Sequence, residues 1–154
     1  MLKELTAGLG APEPERHRHS LKQASAALLI EIVRADRDVD PREIASVSAA
    51  LKSAFTLSDQ EIEALLADAN TRVDEAVSLF EFTSVLNDAL DRTGRVDIVA
   101  DLWRVAHADG HVDHYEEHFI RRIADLLHVS HADFVRTRYA VAESLAVGSP
   151  DRGE

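Results

Sequence analysis

Apolar residues recur at spacings of three and four along this chain, and no stretch alternates apolar and polar residues as a strand would. Between residues 21 and 35, for example, Leu21, Leu28 and Ile32 fall on one face of a helix. Aromatic residues are only 5% of the 154, so aliphatic side chains are expected to build the core. The pattern predicts the all-α fold class, a single domain of about seven helices.

Turn residues and capping residues predict where these helices begin and end. Ser58 with Glu61 forms a capping-box pattern, and Asp40 with Glu43 forms another, with proline at position 41. Residues 1–20 are interpreted as a short N-terminal helix and a linker, residues 21–146 as the helical domain, and residues 147–154 as a loose tail. Four of the predicted helices have both ends assigned, at residues 21–35, 41–55, about 74–90 and about 95–107. Three more are predicted to begin at Ser58, Asp113 and Ser130.

Composition and charge limit the function and the location. The absence of cysteine excludes disulfides, thiolate metal sites and a cysteine nucleophile. A net charge of −11 repels phosphate backbones and disfavours nucleic acid as a partner. No signal peptide and no membrane-spanning apolar stretch are recognisable, so a soluble, cytoplasmic protein is expected.

An acidic phrase occurs twice, as RADRDVD at residues 34–40 and as HADGHVD at residues 107–113. Each phrase lies between two predicted helices, so helix, acidic joint and helix are expected to form an internal repeat around a pseudo-twofold axis. We call residues 35–40 the first joint and residues 108–113 the second joint. The repeat pairs Asp36 with Asp109 and Glu43 with Glu116.

The acids of the joints are expected to differ in role. Asp40 and Asp113 are placed to cap the following helices. Asp36 and Asp109 instead lie at the negative end of a helix dipole, so a nearby positive charge is expected to offset the cost. A hard divalent cation is one candidate, although Pro41 stands where an EF-hand loop requires glycine.

Four histidines surround the second joint at helical spacing: His107, His111, His114 and His118. On one continuous helix they would line up as metal ligands. Gly110 and the Asp113 cap predict a helix break between them, which favours surface histidines. Only His118 is retained as a further candidate ligand.

The joints and the segment YEEHFIRRIADLLHVSHADF at residues 115–134 resemble the TerB-like family of proteins associated with tellurite resistance. The resemblance covers about residues 21–142. It implies an all-helical fold with a two-part repeat, a cluster of acidic metal-binding residues, and association with bacterial stress responses and membrane-linked complexes. By position it assigns the metal ligands to Asp36, Glu43, Asp109 and Glu116. The chain departs from the family at Arg37, where glycine is usual, and this cation is expected either to weaken the first half-site or to replace a metal in part.

Three functions remain open at this point. The leading hypothesis is a non-enzymatic module that binds a divalent ion (Ca²⁺, Mg²⁺, Mn²⁺ or Zn²⁺) and works with a protein partner. The second is an acidic protein-interaction domain without metal, and the third is a metal-dependent hydrolase. The metal, the partner and the oligomeric state are left undetermined. Further candidate ligands are Glu31, Asp40, Asp113 and His118.

Overall fold

A computed structural model describes residues 17–35 and 39–147, and these residues form α-helices and no strand, which confirms the predicted fold class. None of the described helices is long and apolar enough to cross a membrane. The seven helices are α1 (Leu21–Arg34), α2 (Pro41–Phe55), α3 (Asp59–Glu75), α4 (Phe80–Ala89), α5 (Arg92–His107), α6 (His114–Leu126) and α7 (His131–Val147).

Helix α1 lies at the centre of the fold. It packs against α2, α3, α4 and α5 and also touches α6. Consecutive residues from Ala24 to Ile30 are buried, as expected for a helix surrounded by others on all sides. The first joint therefore starts from the most enclosed element of the protein.

Helix α5 forms the second centre and leads into the second joint. It packs on α1, α2, α6 and α7, and its Trp103 is completely buried. An ion-pair cluster joins α5 to α7, in which Arg92 Nη2 lies 2.7 Å from Asp133 Oδ2 and Arg136 pairs with the other carboxylate oxygen. The helix after each joint thus contacts the helix before the other joint, α2 with α5 and α6 with α1.

The caps of the two joints differ. At the second joint the expected capping box forms, with Glu116 N–H donating to Asp113 Oδ1 (2.8 Å) and Asp113 N–H donating to Glu116 Oε1 (3.1 Å). At the first joint the prediction of a box was wrong. Asp40 does cap α2, but its carboxylate accepts from the Arg42 N–H (2.8 Å) and also binds the Arg42 side chain.

The fourth helix is shorter than the predicted range of residues 74–90. Helix α3 continues to Glu75, and α4 begins only at Phe80. The connection between them is stabilised by Glu81, whose Oε2 accepts a hydrogen bond from Val77 N–H at 2.7 Å. The spacing of apolar residues could not predict this break, because apolar residues continue at helical spacing through the connection.

The fifth helix begins at Arg92, earlier than the predicted start near residue 95. Asp91 caps it by accepting a hydrogen bond from Gly94 N–H at 2.9 Å. Gly94 therefore belongs to the first turn of the helix and does not precede it. The predicted capping box of Ser58 and Glu61 at the start of α3 is confirmed.

Candidate metal site

Glu43 and Glu116 are the third residues of α2 and α6, the helices that follow the two joints. Their exposed fractions are 0% and 1%, respectively. Acidic side chains are almost never fully buried unless hydrogen bonds or opposite charges compensate for lost water. Two of the four predicted ligands thus lie inside the protein, each at the third residue of the helix that follows its joint.

The second joint is a tight turn in which Asp109 has a local structural role. Its Oδ1 accepts a hydrogen bond from His111 N–H at 3.0 Å, the usual way in which an aspartate stabilises a turn. Gly110 has a φ of 85° and donates its N–H to His107 O at 2.8 Å. This left-handed conformation suits glycine, and it confirms the predicted helix break.

Arg42 supplies a positive charge between the two joints. Its guanidinium binds Asp40 through Nε (3.1 Å) and Nη2 (2.9 Å). These contacts with Asp40 raise the pKa of Arg42, with smaller contributions from the negative charges of Asp109 and Glu43. The negative charge of Asp109 therefore lies within electrostatic reach of a cation from α2, the helix after the first joint.

The first joint is described only in part. Asp36, Arg37 and Asp38 lie outside the described residues, so the predicted meeting of Asp36 with Asp109 stays a prediction. Val39, the next described residue, has 58% of its surface exposed.

No group of three or more histidine, aspartate or glutamate side chains converges on a possible metal position within residues 17–35 and 39–147. Because Asp36 lies outside the described residues, the predicted set of Asp36, Glu43, Asp109 and Glu116 stays a prediction. The donors that are described are carboxylate oxygens, which fit a hard cation such as Mg²⁺, Ca²⁺ or Mn²⁺ by chemistry.

The histidines of the second joint do not act as a unit. His111, His114 and His118 are exposed, whereas His107 is half-buried at the end of α5. The His107 ring packs against Trp103 with centroids 6.3 Å apart. Burial lowers the pKa of His107 and the charge of Arg138 adds to this, while Asp109 opposes it.

Glu31 lies on α1 one turn before the first joint and is half-buried. Burial raises its pKa, against the opposing charges of Arg34 and Arg122. The spacing of Glu31 and Arg34 favours an ion pair between them, but Arg34 makes its closest ion pair with another residue. Arg34 Nη2 instead binds Asp74 Oδ1 at 2.7 Å.

No sequence pattern indicates a role for His19, yet its side chain is only 8% exposed. His19 Nε2 lies 3.1 Å from Glu81 Oε1, and its Nδ1 lies 2.9 Å from Arg72 Nη1. Its ring also contacts Phe82, with centroids 4.8 Å apart. All three partners are more than 50 residues away, so only knowledge of the packing could have identified this cluster.

A comparison with protein-family models identifies the family of this chain. The model of the family described as "Tellurite resistance protein TerB" matches residues 22–139, most of the described chain and both joints. No curated protein and no solved structure matches this sequence significantly.

Proposed function

Because this chain belongs to the TerB family, we propose that it is a non-enzymatic module that binds a divalent cation at its two joints. The observation that carries the proposal is the complete burial of Glu43 and Glu116 at equivalent positions. Carboxylate oxygens are the ligands that hard divalent cations prefer, and these two lie at the same step after each joint.

In this proposal Glu43 and Glu116 are the inner ligands, and Asp109 and Asp36 approach from the joints. Glu116 Oε1 already accepts the hydrogen bond of the helix cap, and a carboxylate offers about four lone-pair sites in all. It can therefore hold the cap and a cation together. Glu31, Asp40, Asp113 and His118 would at most support these ligands.

All four carboxylates serve as ligands in this proposal, and no separate group is assigned as a general base. For that reason we do not propose a hydrolase activity.

The cation test is thermal unfolding with and without added Ca²⁺, Mg²⁺, Mn²⁺ or Zn²⁺. A cation at about 100 times its Kd stabilises the folded state by about 2.7 kcal/mol, enough to raise the Tm of a domain this size by several degrees. We expect Asp109→Asn to remove the rise and Asp125→Asn, at an exposed position on α6, to keep it. An unchanged Tm with every cation would refute metal binding.

Bound metal should also be counted directly. Protein purified without chelator and without metal-affinity resin is expected to carry a fixed number of ions per chain. The same preparation of a Glu43→Gln, Glu116→Gln double variant is expected to carry none. Equal metal content in both would place the ion elsewhere.

A second candidate function is an acidic protein-interaction domain without metal. It is favoured by two exposed apolar side chains, Val39 in the first joint at 58% exposure and Tyr115 in the first turn of α6 at 71% exposure. Together with the surrounding acids they would suit a basic, partly apolar segment of a partner protein. Partner binding that survives chelation, weakens with salt and is lost in Tyr115→Ser would support this function over the first.

The family name suggests the cellular setting. We propose that the protein takes part in a tellurite or related stress response of its host, together with a protein partner that is associated with a membrane. A host lacking the gene is expected to become sensitive to tellurite, with rescue by the natural chain and no rescue by Asp109→Asn. Full rescue by that variant would separate the stress role from metal binding.

A further inference from the structure

An apolar cavity of about 220 Å³ lies between α1, α2 and α5. Its floor is formed by the buried Leu29 and Leu51, and its walls by the half-buried Leu21, Phe55 and Ile98. An apolar cavity of about 150 Å³ can hold a benzene molecule. The cavity therefore has room for one small organic molecule, but not for the row of side chains that a bound helix inserts.

Small residues keep this space open. The cavity is also lined by Ser25 of α1, Ala50 and Ala54 of α2 and Gly94 of α5. At position 94 even a Cβ atom would lie only 3.1 Å from the Cβ of Leu90, another lining residue. Protein interiors normally fill such space to the density of organic crystals, so a cavity of this size bordered by leucines is suited to an apolar ligand.

Two carboxylates border the cavity. Asp97 and Asp101 both line it from α5, and because they are four residues apart they lie on the same face of that helix. Asp97 is exposed and Asp101 is half-buried, so they lie where the cavity meets solvent. Like charges at this spacing destabilise a helix. A positive charge at the opening of the cavity would relieve this repulsion.

Arg104 compensates only one of these two acids. Its Nη1 lies 2.8 Å from Asp101 Oδ1. Burial raises the pKa of Asp101 against the opposing charge and hydrogen bond of Arg104, and the negative charge of Asp97 raises it further. The environment of Asp101 therefore still favours additional positive charge.

Asp97 has no such partner. Within residues 17–35 and 39–147, no basic side chain forms an ion pair with Asp97. Arg92 and Arg136 line a neighbouring hollow together with Asp97, but both of them bind Asp133. The cavity thus combines an apolar interior with one net negative charge at its opening.

We propose that this cavity binds a small organic cation, a compound with an apolar body and an ammonium group that pairs with Asp97. The apolar body contacts Leu29 and Leu51, and the ammonium group donates hydrogen bonds to the carboxylate. On α2 the lining residue Ala54 lies eleven residues after Glu43, roughly 16 Å along the helix axis. Binding here is therefore independent of the divalent cation proposed at the joints.

Three probes of similar shape test the role of charge: phenethylammonium, the neutral phenethyl alcohol and the anionic hydrocinnamate. Binding is measured by NMR titration of the full chain in the presence of EDTA, which removes divalent ions. We expect phenethylammonium to bind about fivefold more tightly than the alcohol, the factor that one ion pair gives in water, and hydrocinnamate to bind most weakly. Equal binding of the ammonium compound and the alcohol, or stronger binding of hydrocinnamate, would overturn the proposal.

Two pairs of variants locate the site. Asp97→Asn is expected to remove the preference for the ammonium compound over the alcohol, whereas Asp125→Asn, at an exposed position of α6, should keep it. Ala54→Leu is expected to weaken the binding of both compounds several-fold by filling the cavity, whereas Ala49→Leu, at an exposed position of α2 outside the cavity, should not. Positions 54 and 97 are exposed, so both variants are expected to fold. If Ala54→Leu binds the probes as the natural chain does, or if Asp97→Asn retains the preference, the proposal is wrong.

Discussion

Glu43 and Glu116 occupy the same position, the third residue of the helix after each acidic joint, and both are buried. Their neighbourhoods nevertheless differ. Glu116 closes a capping box with Asp113, whereas the cap of α2 is made by Asp40 with Arg42. A site built from these two glutamates would therefore be asymmetric.

Replacing either buried glutamate with glutamine is expected to weaken cation binding at least about tenfold, since even a change behind the direct ligands costs 10 to 100 times in affinity. Glutamine keeps the size of the side chain and an oxygen for the cap at position 116. The measurement is calorimetric titration of Glu43→Gln and Glu116→Gln. Glu63→Gln, at an exposed position on α3, is the control, and an affinity equal to it would exclude the replaced residue as a ligand.

Arg42→Gln is expected to tighten cation binding by about two- to fivefold at low salt, because the variant removes a positive charge that competes for Asp109. The gain should fade as salt is added, since Arg42 is exposed. The control is Lys52→Gln. This variant removes an exposed lysine that lies near the end of α2 far from the joint and pairs with Asp59 of α3. Weaker binding in Arg42→Gln would show that the arginine holds the ligands in place.

His107 is expected to make the fold sensitive to mild acid. The folded state lowers its pKa below the ordinary value of 6.5, so the unfolded chain binds the proton more readily. Stability is therefore lost as the pH falls from 6.5 through the folded pKa. In His107→Gln the decline in Tm between about pH 7.5 and pH 5.5 should be smaller than in the natural chain.

The absolute Tm of His107→Gln is not the test, because the variant also loses the packing of the ring on Trp103. The slope of Tm against pH is what separates the two effects. An identical slope in both proteins would mean that His107 titrates alike in the folded and unfolded states.

Asp133, an acidic group, is also expected to make the folded state less stable as the pH falls. Hydrogen bonds from Arg136 and Arg92 hold its pKa below the ordinary value of 3.8. The stability that Asp133 contributes to the folded state is complete above pH 3.8 and is lost as the pH falls through the lower pKa of the folded state. The Tm difference between the natural chain and Asp133→Asn should be largest near about pH 7 and should close below about pH 3. A difference that persists in acid would assign the effect to packing.

Local patterns allowed most of the fold to be predicted. The Asp113 and Glu116 box was predictable because its two partners are three residues apart and follow a known capping pattern. The same pattern failed at Asp40, where the following residue is an arginine that engages the carboxylate itself. A local rule holds only when no stronger neighbour competes for the same oxygen.

The candidate site was predictable only as a set of residue types. The equivalence of Glu43 and Glu116 follows from the repeated phrase, but their complete burial depends on how α2 and α6 pack against α5 and α1. The contacts of His19 with Arg72 and Glu81 depend on packing in the same way. No spacing along the chain encodes contacts between residues so far apart in sequence.

Trp103 gives the second joint a built-in optical reporter. It is the only tryptophan of the chain, and it is fully buried. Its ring contacts both the His107 ring and the Arg138 guanidinium, which is 5.1 Å from its centroid. Its emission is expected to report the charge of the adjacent imidazole, since an imidazolium quenches indole fluorescence more strongly than a neutral ring. Events at the turn after α5 can therefore be followed by fluorescence in the unlabelled, unmodified protein.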